Sequence, residues 1–141
     1  VEEIFSKQCN TLLDLSIEST RTICDYLGIK LNYEIASKMN FDLSNISQPG
    51  DWALEISKKK KASEYINPHG GHDIFNENKF NASRIKLNFL KPNLTPYKQS
   101  FRKDFNLGLS ILDVLMFNSK DELQEILTSD FKILKKKDLS L

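Results

Sequence analysis

Residues 64–90, with the sequence EYINPHGGHDIFNENKFNASRIKLNFL, decide the fold. Residues 64–67 are predicted to form a short strand, because the proline and the glycine pair that follow them end regular structure. Residues 84–90 alternate apolar and polar side chains, which is the period of a strand with one buried face. A short helix that begins near Asp73 separates the two strands. Strand, helix and strand in this order predict a right-handed crossover between parallel strands.

Upstream of this stretch, the pattern predicts a helix, a strand and a second helix. Residues 11–27 place apolar side chains at three- and four-residue steps, as an amphipathic helix does, and Gly28 is suited to end it. Residues 30–36 alternate apolar and polar side chains and are predicted to form the first strand. Residues 37–50 are predicted to form a long loop, and a helix then runs from Asp51 into a lysine tract.

Downstream of the stretch, two helices are predicted after an irregular segment. Residues 91–106 contain two prolines, which exclude a long regular element. Ser110 is predicted to cap one helix, and Ser119 stands three residues before Glu122 in the spacing of a capping box. The charged tail from Lys135 is expected to fray.

This order of elements predicts an α/β fold with a small, mostly parallel sheet of about three strands that alternate with helices. The chain is expected to end in a helical segment. The length suits one hydrophobic core, so we expect residues 1–141 to form a single α/β domain. Because Val1 begins directly in helical sequence, we also expect the chain to be part of a longer protein.

Composition and charge exclude several classes of protein. Twenty basic residues against nineteen acidic ones leave a net charge of +1, so no overall field draws the chain to nucleic acid. Hydrophobic residues make up 40% of the chain, too many for a disordered protein. No apolar run approaches the roughly 18 residues of a membrane span, and no signal peptide opens the chain. We therefore expect a cytoplasmic protein that does not insert into a membrane.

The turn after residues 64–67 is the first candidate site. Glycines at the carboxyl end of a strand let backbone N–H groups approach an anion, so Gly70 and Gly71 suit a phosphate or a carboxylate. A tight turn without a ligand explains them equally well, because no longer glycine motif is present. His69 and His72 suit a general base, or a solvated loop, and no spacing supplies the further ligand that a metal needs. We assign no metal site.

A proline-bounded loop gives the second candidate site. Tyr97 and Gln99 lie in it, and polar side chains in such loops often face a crevice, although they are also ordinary surface residues. Ser110 lacks the surroundings of a nucleophilic serine, so a helix cap with Asp113 as its partner is favoured over catalysis.

Four segments between residues 65 and 118 resemble the WbqC-like family of bacterial proteins in their order and spacing. They are YINPHGGHDIF, RIKLNFLKP, YKQSF and LSILDVLMFNS. Residues 12–37, LLDLSIESTRTICDYLGIKLNYEIAS, resemble the helix and strand that precede these segments in the family. The resemblance covers nearly the whole chain.

The resemblance implies a role in the synthesis of O-antigen and other surface polysaccharides, because members of the family are found among the genes for it. Full-length members begin with a further half, so the chain resembles their C-terminal portion. Phe75 stands where many relatives have tyrosine, which argues against an essential hydroxyl there, and Lys60 and Lys61 replace a pair similar to Leu-Gly. The positions that match the family are Asn67, Gly70, Gly71, Tyr97, Gln99, Ser110, Asp113 and Asn118.

Together, the residues and the resemblance give two hypotheses for function. The first is a transferase that moves an acyl or aminoacyl group to a nucleotide-linked amino sugar, with no cofactor and with no catalytic residue named. The second is a non-catalytic binding or assembly subunit whose partners are polysaccharide biosynthesis enzymes. On the first hypothesis, a nucleotide-linked sugar or another phosphorylated small molecule contacts Asn67, His69, Gly70, Gly71, His72, Tyr97, Gln99, Ser110, Asp113 and Asn118.

Overall fold

The chain forms two compact units, each built from two segments. The helical unit contains Val1–Glu34 and Leu94–Ser129, and the sheet unit contains Ile35–Asn93 and Asp130–Leu141. The structure is a computed structural model, and it describes residues 2–40, 44–99 and 104–139. Parts of two predicted loops, residues 41–43 and 100–103, lie outside the described residues.

Helices occur in both units. None of those in the described ranges is long and apolar enough to cross a membrane. The α-helices are α1 (Glu2–Ser6), α2 (Leu12–Leu27), α3 (Pro49–Lys59), α4 (Glu77–Ala82), α5 (Ile111–Phe117) and α6 (Lys120–Ser129).

The sheet unit is built on three strands in the order β1 (Glu64–Pro68), β2 (Lys86–Pro92) and β3 (Phe131–Lys135). β1 and β2 are parallel, with Asn67 opposite Phe89. β3 joins the other side of β2 and is antiparallel to it. The predicted α/β class and the parallel pair are confirmed, whereas the sheet is mixed rather than mostly parallel.

Two predictions about strands are wrong. Residues 30–36 form no strand, because their alternating pattern meets no neighbouring strand, and the segment runs instead into a 3-10 helix at Ala36–Lys38. The predicted end in a helical segment is wrong, because β3 follows the last α-helix. In the described part of the tail, Lys136–Asp138 form a 3-10 helix, so the segment from Lys135 is ordered rather than frayed. The four lysines within and directly after β3 made an edge strand resemble a charged tail, although edge strands commonly carry lysine.

The core of the sheet unit explains why residues 64–90 decide the fold. Leu87 and Phe89 alternate on the buried face of β2, and Phe80 reaches the same cluster from α4. Aromatic rings fill most of it, with Phe75 and Phe89 centred 5.9 Å apart. Leu139 packs against the cluster, so the tail contributes to the core.

A buried carboxylate fixes the first turn of α3. Asp51 Oδ2 accepts hydrogen bonds from the backbone N–H of Ser47 and of Gln48 and from the Ser47 hydroxyl. Its Oδ1 accepts from the ammonium of Lys79 on α4 at 2.7 Å. The helix therefore begins two residues before the predicted start, with Asp51 satisfying N–H groups that the helix itself cannot.

Gly50 lies directly on the segment that follows β1. A Cβ at this position would overlap the carbonyl oxygen of Ile74 and would lie 3.2 Å from the Cα of Phe75. Only glycine permits this approach of two backbones. The contact holds α3 against the turn that carries the first candidate site.

In the helical unit, the predicted end of α2 at Gly28 and the predicted capping box of α6 are confirmed, and α2 has a further cap that was not predicted. Thr11 and Asp14 form a reciprocal capping box at the start of α2, and Gly28 ends this helix with φ of 73°. Ser119 and Glu122 form the predicted box at the start of α6. The two helices contact each other, and within this unit Gln124 Nε2 donates to the carbonyl of Leu27, a residue that lies buried.

Candidate functional site

A polar network in the helical unit joins three of the sequence-predicted residues. The Tyr97 hydroxyl donates to Asp113 Oδ2 at 2.5 Å, and Gln99 Nε2 donates to the same oxygen at 3.0 Å. Asp113 lies on α5, and the two donors come from the irregular segment before it. The loop and the helix thus meet at one carboxyl oxygen.

Tyr97 and Gln99 make further contacts that hold their side chains in place. Gln99 is buried, and its amide bonds the backbone of Asn106 in both directions, accepting from the N–H at 2.8 Å and donating to the carbonyl at 3.0 Å. The ring of Tyr97 packs edge-on against Phe105 with centroids 5.1 Å apart. Both donors are therefore fixed before any ligand arrives, which is how binding sites limit their entropic cost.

The electrostatics of the network make Tyr97 a donor. Burial raises the pKa of its hydroxyl, and the hydrogen bond to Asp113 raises this pKa further. Two donors converge on Asp113 Oδ2, while the other oxygen, Oδ1, receives no hydrogen bond from the part of the chain that the structure describes. A half-buried carboxyl group with one oxygen open can accept a hydrogen bond from a hydroxyl or an amine of a ligand.

Ser110 and Asn118 serve the ends of α5. Ser110 Oγ accepts from the backbone N–H of Leu112 at 3.3 Å, which confirms the predicted cap. Its predicted capping partner Asp113 bonds the loop instead. Asn118 Nδ2 donates to the carbonyl of Val114 at 2.8 Å, so its side chain closes the last turn. These two residues frame the helix that carries Asp113.

The glycine turn in the sheet unit is a 3-10 helix, His69–Ile74, rather than the start of an α-helix. Asn67 orders its entry. Its Oδ1 accepts from the hydroxyl of Tyr65 at 2.9 Å, and its Nδ2 donates to the carbonyl of Pro68 at 2.8 Å. A Cβ on Gly71 would lie 2.9 Å from this Nδ2, so Gly71 makes room for the asparagine.

The remaining residues of the turn are more open. A Cβ on Gly70 would meet nothing within 4 Å, and its φ is not left-handed. His72 Nδ1 lies 3.0 Å from the carbonyl oxygen of His69, and its Nε2 lies 3.1 Å from an oxygen of the exposed Asp73. Across the described ranges, no three His, Cys, Asp or Glu side chains stand close enough to hold a metal ion.

A polar cleft of about 410 Å³ lies at the far end of this turn. Gln48, Asp73, Glu77 and Lys136 are among its lining residues, and Lys136 Nζ donates to the carbonyl of Phe75 at 2.6 Å. Sequence reasoning missed Lys136, because it lies in the tail that was expected to fray. The only signal for it was one more cation in a lysine-rich segment.

Phe75 explains one departure from the family's pattern. Its side chain lies in the core, with its ring 5.6 Å from that of Tyr65 and 6.1 Å from that of Phe80 between centroids. A tyrosine hydroxyl there would need a buried partner. The side chain at this position contributes to packing.

The structure thus brings together Tyr97, Gln99 and Asp113, with Asn106 as a member that the sequence did not reveal. The predicted residues of the glycine turn belong to the sheet unit.

The comparisons agree with the resemblance in sequence. The sequence profile of the WbqC-like protein family matches residues 1–125. No curated protein and no solved structure matches the chain significantly. Since the matched region covers most of the chain, from α1 into α6, the protein belongs to the WbqC-like protein family.

Proposed function

We propose that the protein binds a nucleotide-linked amino sugar in the cytoplasm and takes part in acyl or aminoacyl transfer to its amine, in the synthesis of bacterial surface polysaccharide such as O-antigen. The observation that carries this proposal is the carboxyl group of Asp113, held at one oxygen by Tyr97 and Gln99 while its other oxygen accepts no hydrogen bond from the described residues. Membership of the WbqC-like family supports the polysaccharide setting.

Asp113 Oδ1 accepts a hydrogen bond from the amine or a neighbouring hydroxyl of the sugar. Oδ2 of the same carboxyl group already accepts from two donors, so the carboxyl group is held against rotation and Oδ1 stays directed at the ligand. Hydrogen bonds of this charge-assisted kind contribute about 1.5 to 3 kcal/mol, enough to select a sugar that offers a donor.

In the sheet unit, the glycine turn is proposed by itself as a site for a phosphate group. Gly70 leaves space above the backbone, and the exposed N–H groups of a turn can donate to phosphate oxygens. Ser110 and Asn118 support Asp113 from the ends of α5, and Asn67 and Gly71 support the turn from beneath.

The transfer itself needs a donor that carries an acyl or aminoacyl group. The sugar nitrogen attacks the acyl carbon and a C–N bond forms. The bond between the acyl carbon and its carrier breaks with its electron pair going to the carrier, and the proton that the nitrogen loses ends on the departing carrier. The proposal assigns Asp113 to binding and orientation of the amine. No residue is assigned to the proton transfer.

The first experiment measures binding by isothermal titration calorimetry. The probes are nucleotide-linked amino sugars, each compared with the sugar that has a hydroxyl in place of the amine, beginning with UDP-glucosamine and UDP-glucose. Asp113→Asn keeps an acceptor for Tyr97 and removes the charge, and we expect it to weaken binding about tenfold or more. Asp121→Asn, on the exposed first turn of α6, is the matched control and is expected to bind as the parent does.

A second pair of variants tests the glycine turn. Gly70→Glu places a negative charge where space is open, and Gly70→Gln places a neutral side chain of the same size there. We expect the glutamate variant alone to lose most of the affinity for a phosphorylated small molecule that binds at this turn, measured separately from the effect of Asp113→Asn. Equal affinity of Asp113→Asn and the parent would contradict the proposal. A folded protein that binds none of the probes would also contradict it and would favour the assembly subunit.

A further inference from the structure

We propose that an apolar cavity in the helical unit binds a small aliphatic ligand that carries an ammonium group. The cavity has a volume of about 350 Å³, within the range of sites for small molecules. Residues of α1, α2 and α5 form it, and its apolar walls are Ile4, Ile23, Leu112, Leu115 and Met116. None of these residues belongs to the Tyr97–Gln99–Asp113 network or to the glycine turn, so the inference does not rest on the proposed function.

The walls of the cavity are exposed far more than core residues are. Met116 is 71% exposed and Tyr26 is 53% exposed, whereas Ile4 at the base of the cavity is buried. Large apolar side chains that line a concave surface and remain open to solvent are a feature of ligand-binding grooves. Methionine suits such a wall because its flexible side chain adapts to the shape of a ligand.

The polar part of the lining decides the charge of the ligand. Asp25 is the one carboxylic acid among the lining residues, and within the described part of the chain it interacts with Arg21 through charge but accepts no hydrogen bond. Two cations lie nearby: Arg21 interacts with Asp25 through its charge, but the hydrogen bonds of its guanidinium go to other acceptors. Arg21 donates to Glu18 at 2.7 Å and to the Tyr33 hydroxyl at 3.0 Å, and Lys7 donates to Glu18 at 3.1 Å.

An ammonium group complements this part of the lining in two ways. The carboxylate of Asp25 attracts it, and the ring of Tyr26 offers a face for a cation–π contact. The hydroxyl of Thr22 already accepts from Lys7 at 3.1 Å, which leaves Asp25 as the acceptor for a ligand. A carboxylate or phosphate would be repelled by Asp25. The ligand that suits both the apolar walls and the carboxylate is therefore an aliphatic amine.

The test uses three probes with the same branched body and different head groups: 3-methylbutylamine, 3-methylbutanol and 3-methylbutanoate. The chain has two methionines, so labelling their methyl groups with ¹³C gives one reporter in the cavity, Met116, and one internal control in the sheet unit, Met39. We expect the amine to shift the Met116 signal in a saturable way and to leave the Met39 signal in place.

The expected preference is about fivefold for the amine over the alcohol, the ratio that corresponds to an exposed ion pair at the upper end of its range. Asp25→Asn is expected to abolish this preference, and Glu125→Gln, an exposed change on α6, is expected to retain it. Binding of the alcohol as tight as that of the amine, tighter binding of the carboxylate, or no shift of Met116 with any probe would overturn the inference. None of these outcomes depends on whether a nucleotide-linked sugar binds at Asp113.

Discussion

Replacing Gly50 by alanine tests whether the start of α3 lies directly on the backbone after the glycine turn. The new Cβ would overlap the carbonyl oxygen of Ile74 and would lie 3.0 Å from its carbonyl carbon. Backbone atoms cannot rotate away as the end of a side chain can, so α3 must shift. Overpacking of this kind costs about 1 to 3 kcal/mol.

Gly70→Ala is the matched control, because it makes the same chemical change in the same unit. Its Cβ would meet nothing within 4 Å, and the φ of Gly70 is not left-handed. We expect this variant to gain about 0.4 to 1 kcal/mol of stability, since alanine restricts the unfolded chain. The two variants are then separated by about 1.5 to 4 kcal/mol in their free energies of unfolding.

Urea unfolding followed by circular dichroism measures this difference. With a slope of about 2 kcal/mol per molar urea, the midpoints of the two variants differ by about 1 to 2 M. Equal midpoints for Gly50→Ala and Gly70→Ala would refute the close approach of α3 to the segment at Ile74.

Three further predictions concern stability. The hydrogen bond from the ammonium of Lys79, and then those from Ser47 and Gln48, hold the pKa of Asp51 well below its usual range. The charged carboxylate therefore stabilises the fold above about pH 4, and this contribution declines as the pH falls further. Between about pH 5 and pH 2, urea unfolding should show a shallower decline in the free energy of unfolding for Asp51→Asn than for the parent. Phe89 is 0% exposed, and Phe89→Ala should lower the free energy of unfolding by about 3 to 5 kcal/mol, measured by urea unfolding. Thr11→Ala removes the cap of α2 and should cost about 1 kcal/mol, measured by thermal unfolding at one fixed pH.

The parts of the fold that could be predicted from sequence are those with a local physical cause. Gly28 ends α2 because its left-handed backbone is strained for other residues, and Ser119 begins α6 because its side chain bonds a free N–H. The parallel pair β1 and β2 was equally visible, since the inward residues of β2 alternate and a helix intervenes.

The other strands depend on partners that are distant in sequence. Residues 30–36 have the alternation of a strand but no strand beside them, whereas Phe131–Lys135 has a charged, tail-like sequence and pairs with β2 all the same. Local pattern gives the preference of a segment, and pairing decides its structure. The direction of β3 was therefore invisible, and with it the mixed sheet.

The candidate site was also predictable only in part, because its contacts join residues that are distant in sequence. Tyr97 and Gln99 were named from their proline-bounded loop and Asp113 as a capping partner, and the resemblance to the family named all three. No spacing in the sequence implied that two side chains of a loop would reach one carboxyl oxygen on α5. Asn106 was missed because it contributes its backbone, which any residue possesses. Gly50 carried a weak signal, a proline and glycine pair at a helix start, that does not reveal which backbone comes close.

The most direct measurement compares affinity and stability for Tyr97→Phe, Asp113→Asn and the double variant. We predict that each single variant binds UDP-glucosamine about tenfold more weakly, that the double variant binds no worse than Asp113→Asn, and that the free energies of unfolding fall by less than about 1.5 kcal/mol for each change. This pattern follows if Tyr97 acts by positioning the open carboxylate oxygen. Variants that lose stability by more than this amount while their affinity stays at the parent value would contradict a binding role and leave the network as an attachment of the loop to α5.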